Sequence, residues 1–438
     1  DEAALVAVLA GRRVTLRGKG RFAALADGEA GLADVVAREL LAGRIYRNPF
    51  SGEEMSALQV VAMLSAWREL IFANRRYAAI FGIARWKRVT MDALLWDGTG
   101  PIRYAGRNMA QLAAGDRVLA WQTRVKPEVL ADLRGRGVVI GEIEDGMIRS
   151  NGLGANCVPP LSVIVDEEAA HFDPSRPSRL ETILQNGDIP PEMVARAAAL
   201  RQRLVAAGIS KYGADGREHV RQTVGGKRRV LVAAQVEDDR AVLLGGAGCT
   251  NRALLARARE CEPEAHIIFK PHPDVEAGHR RGAVPEDEVM ATADAIERRA
   301  SIGAQLAGVD AIHVISSLAG FEALLRGAEV TTHGVPFYAG WGLTRDLGPV
   351  PARRNRRRTL DELVAAVLIL YPRYLDPVTR LPCGPEVLVE RMAAGQALVS
   401  SPLVALREMQ GRVQNWARGW GLFYNKVLNR QPPPQPLP

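Results

Sequence analysis

Two groups of residues in this chain have types and spacings suited to chemistry. The first is the acid pair Glu144-Asp145, set against Gly146 at a strand end, with Arg149 four residues on. Adjacent residues at a strand end point different ways, so only one of these carboxylates faces a given pocket. A loop-capping acid pair bridged to the arginine is the plain alternative. The second group is a series of anion-holding loops. His266-Ile-Ile-Phe-Lys-Pro-His-Pro-Asp274 reads as a short buried strand running into a proline-stiffened turn. Pro271 cannot continue a ladder and pushes Lys270 into an extended conformation. The turn offers one fixed cation, Lys270, and one imidazole, His272. Such a pair suits a phosphate; a solvated surface turn is the competing reading. Ser316-Ser317 closes the strand Ala311 to Ile315 and opens a helix at once. Hydroxyls and free N–H groups at a helix N-terminus hold anions, though a simple Ser316 cap has the same sequence. Glu322, on the first turns, is placed to accept hydrogen bonds from ribose hydroxyls. The loop Pro336-Phe-Tyr-Ala-Gly-Trp-Gly342 carries Tyr338, Gly340 and Trp341. It reads as a wall that stacks on a ring or as a packed interdomain lid. The cluster Gly245-Gly-Ala-Gly248 lacks Walker or dinucleotide spacing and is a weak phosphate signal.

The elements that must position these groups alternate. Strands are expected at Arg88 to Met91, Ile102 to Tyr104, Asp116 to Trp121, Val138 to Ile140 and Leu161 to Val165. Gly106-Arg-Asn108 is a turn. Helices are expected at Val125 to Arg134 and at Pro190 to Ala207, which has proline at its start. After a linker rich in Gly and charge, the rhythm resumes with Arg229 to Ala234, which ends in Gln235-Val-Glu-Asp-Asp239. A helix capped by Thr250 runs to Glu260, another covers Glu286 to Arg299, and Val330 to Thr332 is a strand. Helices follow at Leu360 to Leu370, Pro385 to Ala393 and Pro402 to Arg412. This alternation predicts βαβ units and parallel sheets, with ligands at the carboxyl ends of strands. The expected fold is α/β and GT-B-like, two Rossmann-like domains facing a cleft, with extra terminal helices. The domains read as a helical segment over 1–85, a sugar-side domain over 86–207, a linker over 208–228, a nucleotide-side domain over 229–395 and an extension over 396–438. Ser210-Lys-Tyr212 lines the cleft or is solvated. The five arginines in Arg353 to Arg358 read as a solvated charge run. Trp416 to Tyr424, with Lys426 and Arg430, reads as a membrane-surface segment or a packed helix, and the proline-rich tail Gln431 to Pro438 as disorder.

At 438 residues two domains are the prior. The net charge of +8 and pI near 9.5 favour anionic partners: nucleic acid, acidic lipid or nucleotide. No apolar run is long enough to span a bilayer, and no signal peptide is evident. The four cysteines lack metal-ligand spacing, as in a reduced cytosolic protein without structural zinc. No Asp-x-Asp motif stands at a strand end, so no metal or other cofactor is expected. The chain opens on Asp1 rather than Met and is expected to be a piece of a longer polypeptide. Leu32-Ala-Asp-Val-Val-Ala37 with Tyr46-Arg-Asn-Pro49 matches Leu360-Asp-Glu-Leu-Val-Ala365 with Tyr374-Leu-Asp-Pro377 without a gap. Residues 1–75 therefore read as the tail of an upstream module.

In combination these motifs resemble the capsule polysaccharide β-Kdo transferases of the KpsC type. The likeness rests on Glu144-Asp-Gly146 with Arg149-Ser150 and Gly152-Leu-Gly154, Phe172-Asp-Pro174 with Arg176-Pro177, and Gln235-Val-Glu-Asp238. Lys270-Pro-His-Pro-Asp274, Ser316-Ser317 with Glu322, Pro336 to Leu343, and Tyr371-Pro-Arg-Tyr374 with Asp376-Pro377 complete it. Gly213 and Met147 depart from the family pattern. The resemblance implies retaining transfer of Kdo from CMP-β-Kdo to a Kdo-terminated lysophosphatidylglycerol, without a metal, at the inner face of the cytoplasmic membrane. It implies Asp145 as nucleophile, with Glu144 orienting it or handling protons. It assigns His272 to the CMP phosphate and the leaving group, and Lys270, Ser316 and Ser317 to the phosphate. Gln235 falls on the donor side, Glu322 on the ribose, and Arg149 on the Kdo carboxylate. Tyr338, Gly340 and Trp341 would border the cleft. A second module of this family would form the β-2,7 linkage. The nearest rival is a CDP-glycerol glycerophosphotransferase, which shares the Lys-Pro-His-Pro loop and needs no sugar nucleophile. A non-enzymatic basic membrane scaffold is the other; nucleic acid is not expected, because no RNA-binding motif is present.

Overall fold

A computed structural model describes residues 2–9, 12–17, 20–105, 111–152, 157–214 and 226–397. The turn at 106–108, Gly154, most of the linker, the helix at 402–412, the aromatic-basic segment and the tail all lie outside the described residues. The chain divides into two units, Asp1–Ala73 and Asn74–Pro438. Among the described residues no helix is long and apolar enough to cross a membrane.

The first unit has a small core of Ala4, Leu5, Phe22, Leu25 and Val35. Its helix Gly28–Val36 passes into a π-helical turn Ala37–Leu41. Strands β1 (Tyr46–Arg47) and β2 (Glu54–Met55) pair antiparallel, and the helix Ala57–Asn74 follows.

In the second unit, β3 (Tyr77–Phe81), β4 (Arg117–Ala120) and β5 (Val139–Asp145) run parallel, and β6 (Ser162–Asp166) turns back against β5. A short hairpin of β7 (Ile209–Ser210) and β8 (Gly213–Ala214) leads toward the second sheet. That sheet is parallel throughout and holds β9 (Arg229–Ala233), β10 (His266–Lys270), β11 (Ala295–Ile296), β12 (Ala311–Val314), β13 (Glu329–Thr332) and β14 (Arg345–Asp346). Its order is β11-β10-β9-β12-β13-β14, the doubly wound arrangement whose direction reverses between β9 and β12. Val230, Leu231 and Val232 are wholly buried, as strands covered on both faces must be. The chain then returns. β15 (Pro372–Leu375) pairs with β6, and β16 (Pro382–Cys383) closes the first sheet in the order β16-β15-β6-β5-β4-β3. The α/β fold with two Rossmann-like halves is as expected.

Five local expectations are corrected. The body starts before Trp86: β3 is an edge strand, with Ala79, Ile80 and Phe81 buried. Arg88–Leu94 is a helix, not a strand, because Thr90, Met91 and Leu94 recur at helical spacing and all are buried. The helix from Glu286 ends at Thr292, since Ala295 and Ile296 pair with Ile268 and Phe269. Residues 360–395 belong partly to the first sheet, not to the nucleotide-side domain, because β15 completes the ladder of β6. The arginine run is not simply solvated. Arg354 and Arg358 are buried; Arg354 donates to Glu181 and to the carbonyls of Pro336 and Ala339, and Arg358 to Leu184 and Gly187.

The repeat in the sequence is also a repeat in structure. π-Helical turns begin at Ala37 and at Ala365, the matched positions. The pair Tyr46↔Met55 has its counterpart in Tyr374↔Cys383. The helices that follow open at Ala57 and at Pro385. In the second copy Leu388, Val389 and Met392 are core residues; at the matched positions of the first, Val61 and Leu64 are exposed.

Candidate active site

Three consecutive parallel strands of the first sheet deliver Lys87, Trp121 and Asp145 from their carboxyl ends. Lys87 lies in the turn Arg85–Lys87 beyond β3, Trp121 follows β4, and Asp145 ends β5. The Lys87 ammonium stands 3.4 Å from Asp145 Oδ1 and 3.0 Å from the Trp121 ring centroid. Arg149 Nε lies 2.9 Å from Asp145 Oδ2. Burial would raise the Asp145 pKa, but Lys87, Arg149 and Lys211 outweigh it and hold the carboxyl below its usual range. Glu144 goes the other way. Burial, then Glu142 and Asp145, push it up to about 8. Glu142 and Glu144, two apart on one strand, share a face. Arg240 from the opposite half grips Glu142 at 2.6 and 2.7 Å and comes within 3.9 Å of Glu144. Burial and neighbours thus move the pKa values of the two adjacent carboxyls in opposite directions, each on its own side of β5.

The expectation that Arg149 faces the sugar is corrected. Its side chain has no exposed surface, and it donates to Ser150 Oγ, the Val158 carbonyl and the Gly152 carbonyl. It positions Asp145 and the loop that follows. That loop is stitched to the β7–β8 turn: Arg149 N donates to the Lys211 carbonyl and Gly152 N to the Tyr212 carbonyl. Lys211 N in turn donates to Glu322 Oε1 at 2.9 Å. Glu322, 7% exposed, therefore joins the two halves rather than standing open to a ribose.

On the second sheet, the switch point gathers Gln235, Lys270, His272, Ser316 and Ser317 at the carboxyl ends of β9, β10 and β12. Gln235 Oε1 accepts from Ser316 N at 2.8 Å, and Ser316 Oγ donates to the Ala241 carbonyl at 3.2 Å. Ser317 caps the helix Leu318–Leu325. Lys270 donates to the Ala300 carbonyl at 2.5 Å, and burial lowers its pKa. His272 Nδ1 accepts from Asp274 N at 3.2 Å, which places the proton of the neutral ring on Nε2; burial lowers its pKa as well. The His272 Nε2–H, the Lys270 ammonium and the serine hydroxyls are groups of the kind that bind a phosphate.

Tyr338 and Trp341 are wholly buried, so they do not border a cleft. Their rings fill the core behind the serines. Tyr338 OH donates to the Ser317 carbonyl at 2.5 Å, and Trp341 Nε1 to the Phe337 carbonyl at 2.9 Å. Gly340 takes φ +92°, where Val350 and Arg354 leave no room for a side chain. The loop is the packed support of the anion site.

Sequence reasoning missed Lys87 and the Arg240–Glu142 bridge. Ile80-Phe-Gly82 followed by Arg85-Trp-Lys87 repeats the strand-to-basic-loop pattern seen at 267–270, and it marks Lys87. Nothing in the sequence marks Arg240.

Residues 197–374 match the family described as "Capsule polysaccharide biosynthesis protein". The chain is 37% identical over 350 residues to the capsule polysaccharide modification protein LipA of Neisseria meningitidis serogroup A, covering 79% of this chain and 49% of that protein. The chain thus spans about half the length of the curated relatives it matches. Among solved structures, it is 31% identical to the KpsC β-Kdo 2,4 transferase of Thermosulfurimonas dismutans, with a TM-score of 0.62 over 72% of this chain and 98% of that one. The β-Kdo 2,7 transferase of the same organism's KpsC gives 29% identity and a TM-score of 0.57 over 73% and 99%.

Proposed function

The chain belongs to the KpsC-type family of capsule polysaccharide β-Kdo transferases, and from that premise we propose that it transfers Kdo from CMP-β-Kdo to a Kdo-terminated glycolipid with retention. The observation that carries this reading is the pair of adjacent carboxyls at the end of β5, Asp145 bracketed by Lys87 and Arg149 and Glu144 set beside Glu142 and Arg240, surroundings that move their pKa values apart. Retaining glycosyl transfer asks for two such groups: a nucleophile and a proton carrier.

In the first displacement, an Asp145 oxygen bonds to the anomeric carbon. The bond from that carbon to the CMP phosphate oxygen breaks, and its electron pair leaves with the phosphate. His272 Nε2–H, Lys270, Ser316 and Ser317 take up the charge. In the second, the acceptor hydroxyl attacks the same carbon, the ester to Asp145 breaks, and the hydroxyl proton is taken up. Glu144 is suited to both halves. Asp145 repels its ionised form; esterification removes that repulsion and lets Glu144 give its proton to solvent, so that its carboxylate takes the proton of the acceptor hydroxyl in the second displacement. The basic balance of the chain supports work at an anionic membrane surface on the cytoplasmic side.

The test is CMP release with CMP-Kdo generated in situ and a synthetic Kdo-terminated acceptor, comparing wild type with Asp145→Ala. The variant is expected to lose at least about 1,000-fold in kcat. Full activity in the variant removes the nucleophile. Turnover of CDP-glycerol instead of CMP-Kdo gives the case to the glycerophosphotransferase reading. The linkage of the product is read in the same experiment; the 2,4 and 2,7 neighbours stand close to each other in likeness, so the lean to β-2,7 gains no support from them.

A further inference from the structure

Building on the transferase reading, we propose that Lys87 receives the carboxylate of the donor sugar as Asp145 gives up its charge. Kdo is a 2-keto acid sugar, so the carbon that Asp145 attacks also bears a carboxylate. The new ester oxygen and that carboxylate share one carbon. A cation 3.4 Å from Asp145 Oδ1 is therefore within reach of both.

Lys87 is built for this transfer of partner. Its side chain is 5% exposed, and its ammonium sits between the faces of Trp121 and Trp86, 3.0 and 5.3 Å from the ring centroids. Aromatic faces hold an ammonium in place without neutralising it. Among the described residues, Asp145 is the one carboxylate within 4 Å of it. Once the Asp145–sugar bond forms and the bond to phosphate breaks, Asp145 is a neutral ester. A buried ammonium left without a counter-charge is strongly unfavourable. The sugar carboxylate supplies the missing charge at the moment it is needed, so the pairing grows toward the transition state. Arg149 cannot do this, because it is wholly buried with its other N–H groups on Ser150, Gly152 and Val158. Burial also lowers the Lys87 pKa to about 8, against the pull of Asp145, so the group is charged at neutral pH.

The experiment labels the full chain with activated Kdo 2-fluoride, in its carboxylate and its carboxamide forms, without acceptor. Intact-protein mass spectrometry follows the adduct on Asp145. Wild type is expected to label about 100-fold faster with the carboxylate than with the carboxamide, the size of a buried charge pair. Lys87→Met is expected to lose most of that ratio, slowing the carboxylate form about 100-fold and the carboxamide form less than about threefold. Equal slowing of both forms overturns the proposal and leaves Lys87 acting only through Asp145. Equal labelling of both forms by wild type overturns it too, whether or not Lys87→Met folds. A wild type that transfers Kdo to acceptor yet forms no adduct refutes double displacement, a separate failure.

Discussion

At the scale of single residues, the candidate site sets like groups in unlike surroundings. Glu144 and Asp145 are chemically near-equal and adjacent, yet their pKa values move apart. The sign of the consequence can be worked out. The Glu144 pKa, raised by burial and its acidic neighbours to about 8, means the folded state keeps a proton that the unfolded chain releases near 4.5. Stability is therefore lost as pH rises from about 4.5 to 8. Glu144→Gln removes that loss, so its Tm should exceed that of wild type by a margin that grows from pH 5 to 8 and then levels, as scanning calorimetry would read. Transfer by wild type should fall above pH 8, as Lys87 loses its charge. A rate that keeps rising to pH 9 would contradict that role. Arg149→Ala should cost about 1–3 kcal/mol in urea unfolding, since it leaves the Val158 and Gly152 carbonyls without their donor while Asp145 keeps Lys87.

At the scale of elements, the anion site depends on what stands behind it. Ser317 is a helix cap whose carbonyl is held by Tyr338, and Tyr338 fits because Gly320 has no side chain. A Cβ at Gly320 would fall on the Tyr338 hydroxyl. Gly320→Ala should cost about 1–3 kcal/mol by overpacking and weaken CMP binding, measured by calorimetry, while labelling of Asp145 by an activated Kdo fluoride should change little. Equal damage to both would mean the helix Leu318–Leu325 serves the whole cleft. The joins between halves are also particular: Arg240 to Glu142, Lys211 N to Glu322, and Arg353 and Arg354 to Glu181.

At the scale of the whole molecule, the first unit repeats the closing elements of the second, from π-helical turn to hairpin to helix. Val389 and Met392 are buried in one copy, and their matches Val61 and Leu64 are exposed in the other. We take the first unit to be the closing piece of a homologous module. Deleting residues 1–73 should then leave the Tm of the remainder and its CMP release within about twofold of the full chain, because a compact unit with its own core can fold by itself. Loss of folding on deletion would make the unit part of this transferase.

The residues of the sequence by themselves determined the strands β4, β5, β9, β10, β12 and β13, their carboxyl-end loops and the candidates Asp145, Glu144, Lys270, His272, Ser316 and Ser317. Each is announced by local signals: β-branched runs, a proline that stops a ladder, hydroxyls before a helix. Only the tertiary structure decided which of these side chains meet a neighbour and which stay open. Tyr338, Trp341, Arg149 and Glu322 look available as text and are buried or bonded in the fold, because their partners come from distant segments. Lys87 carries a signal that is legible only beside the loop at 267–270, Arg240 carries none, and both stand among the charges around β5. Burial and long-range pairing have no periodicity to read; they follow from which strand ends lie side by side.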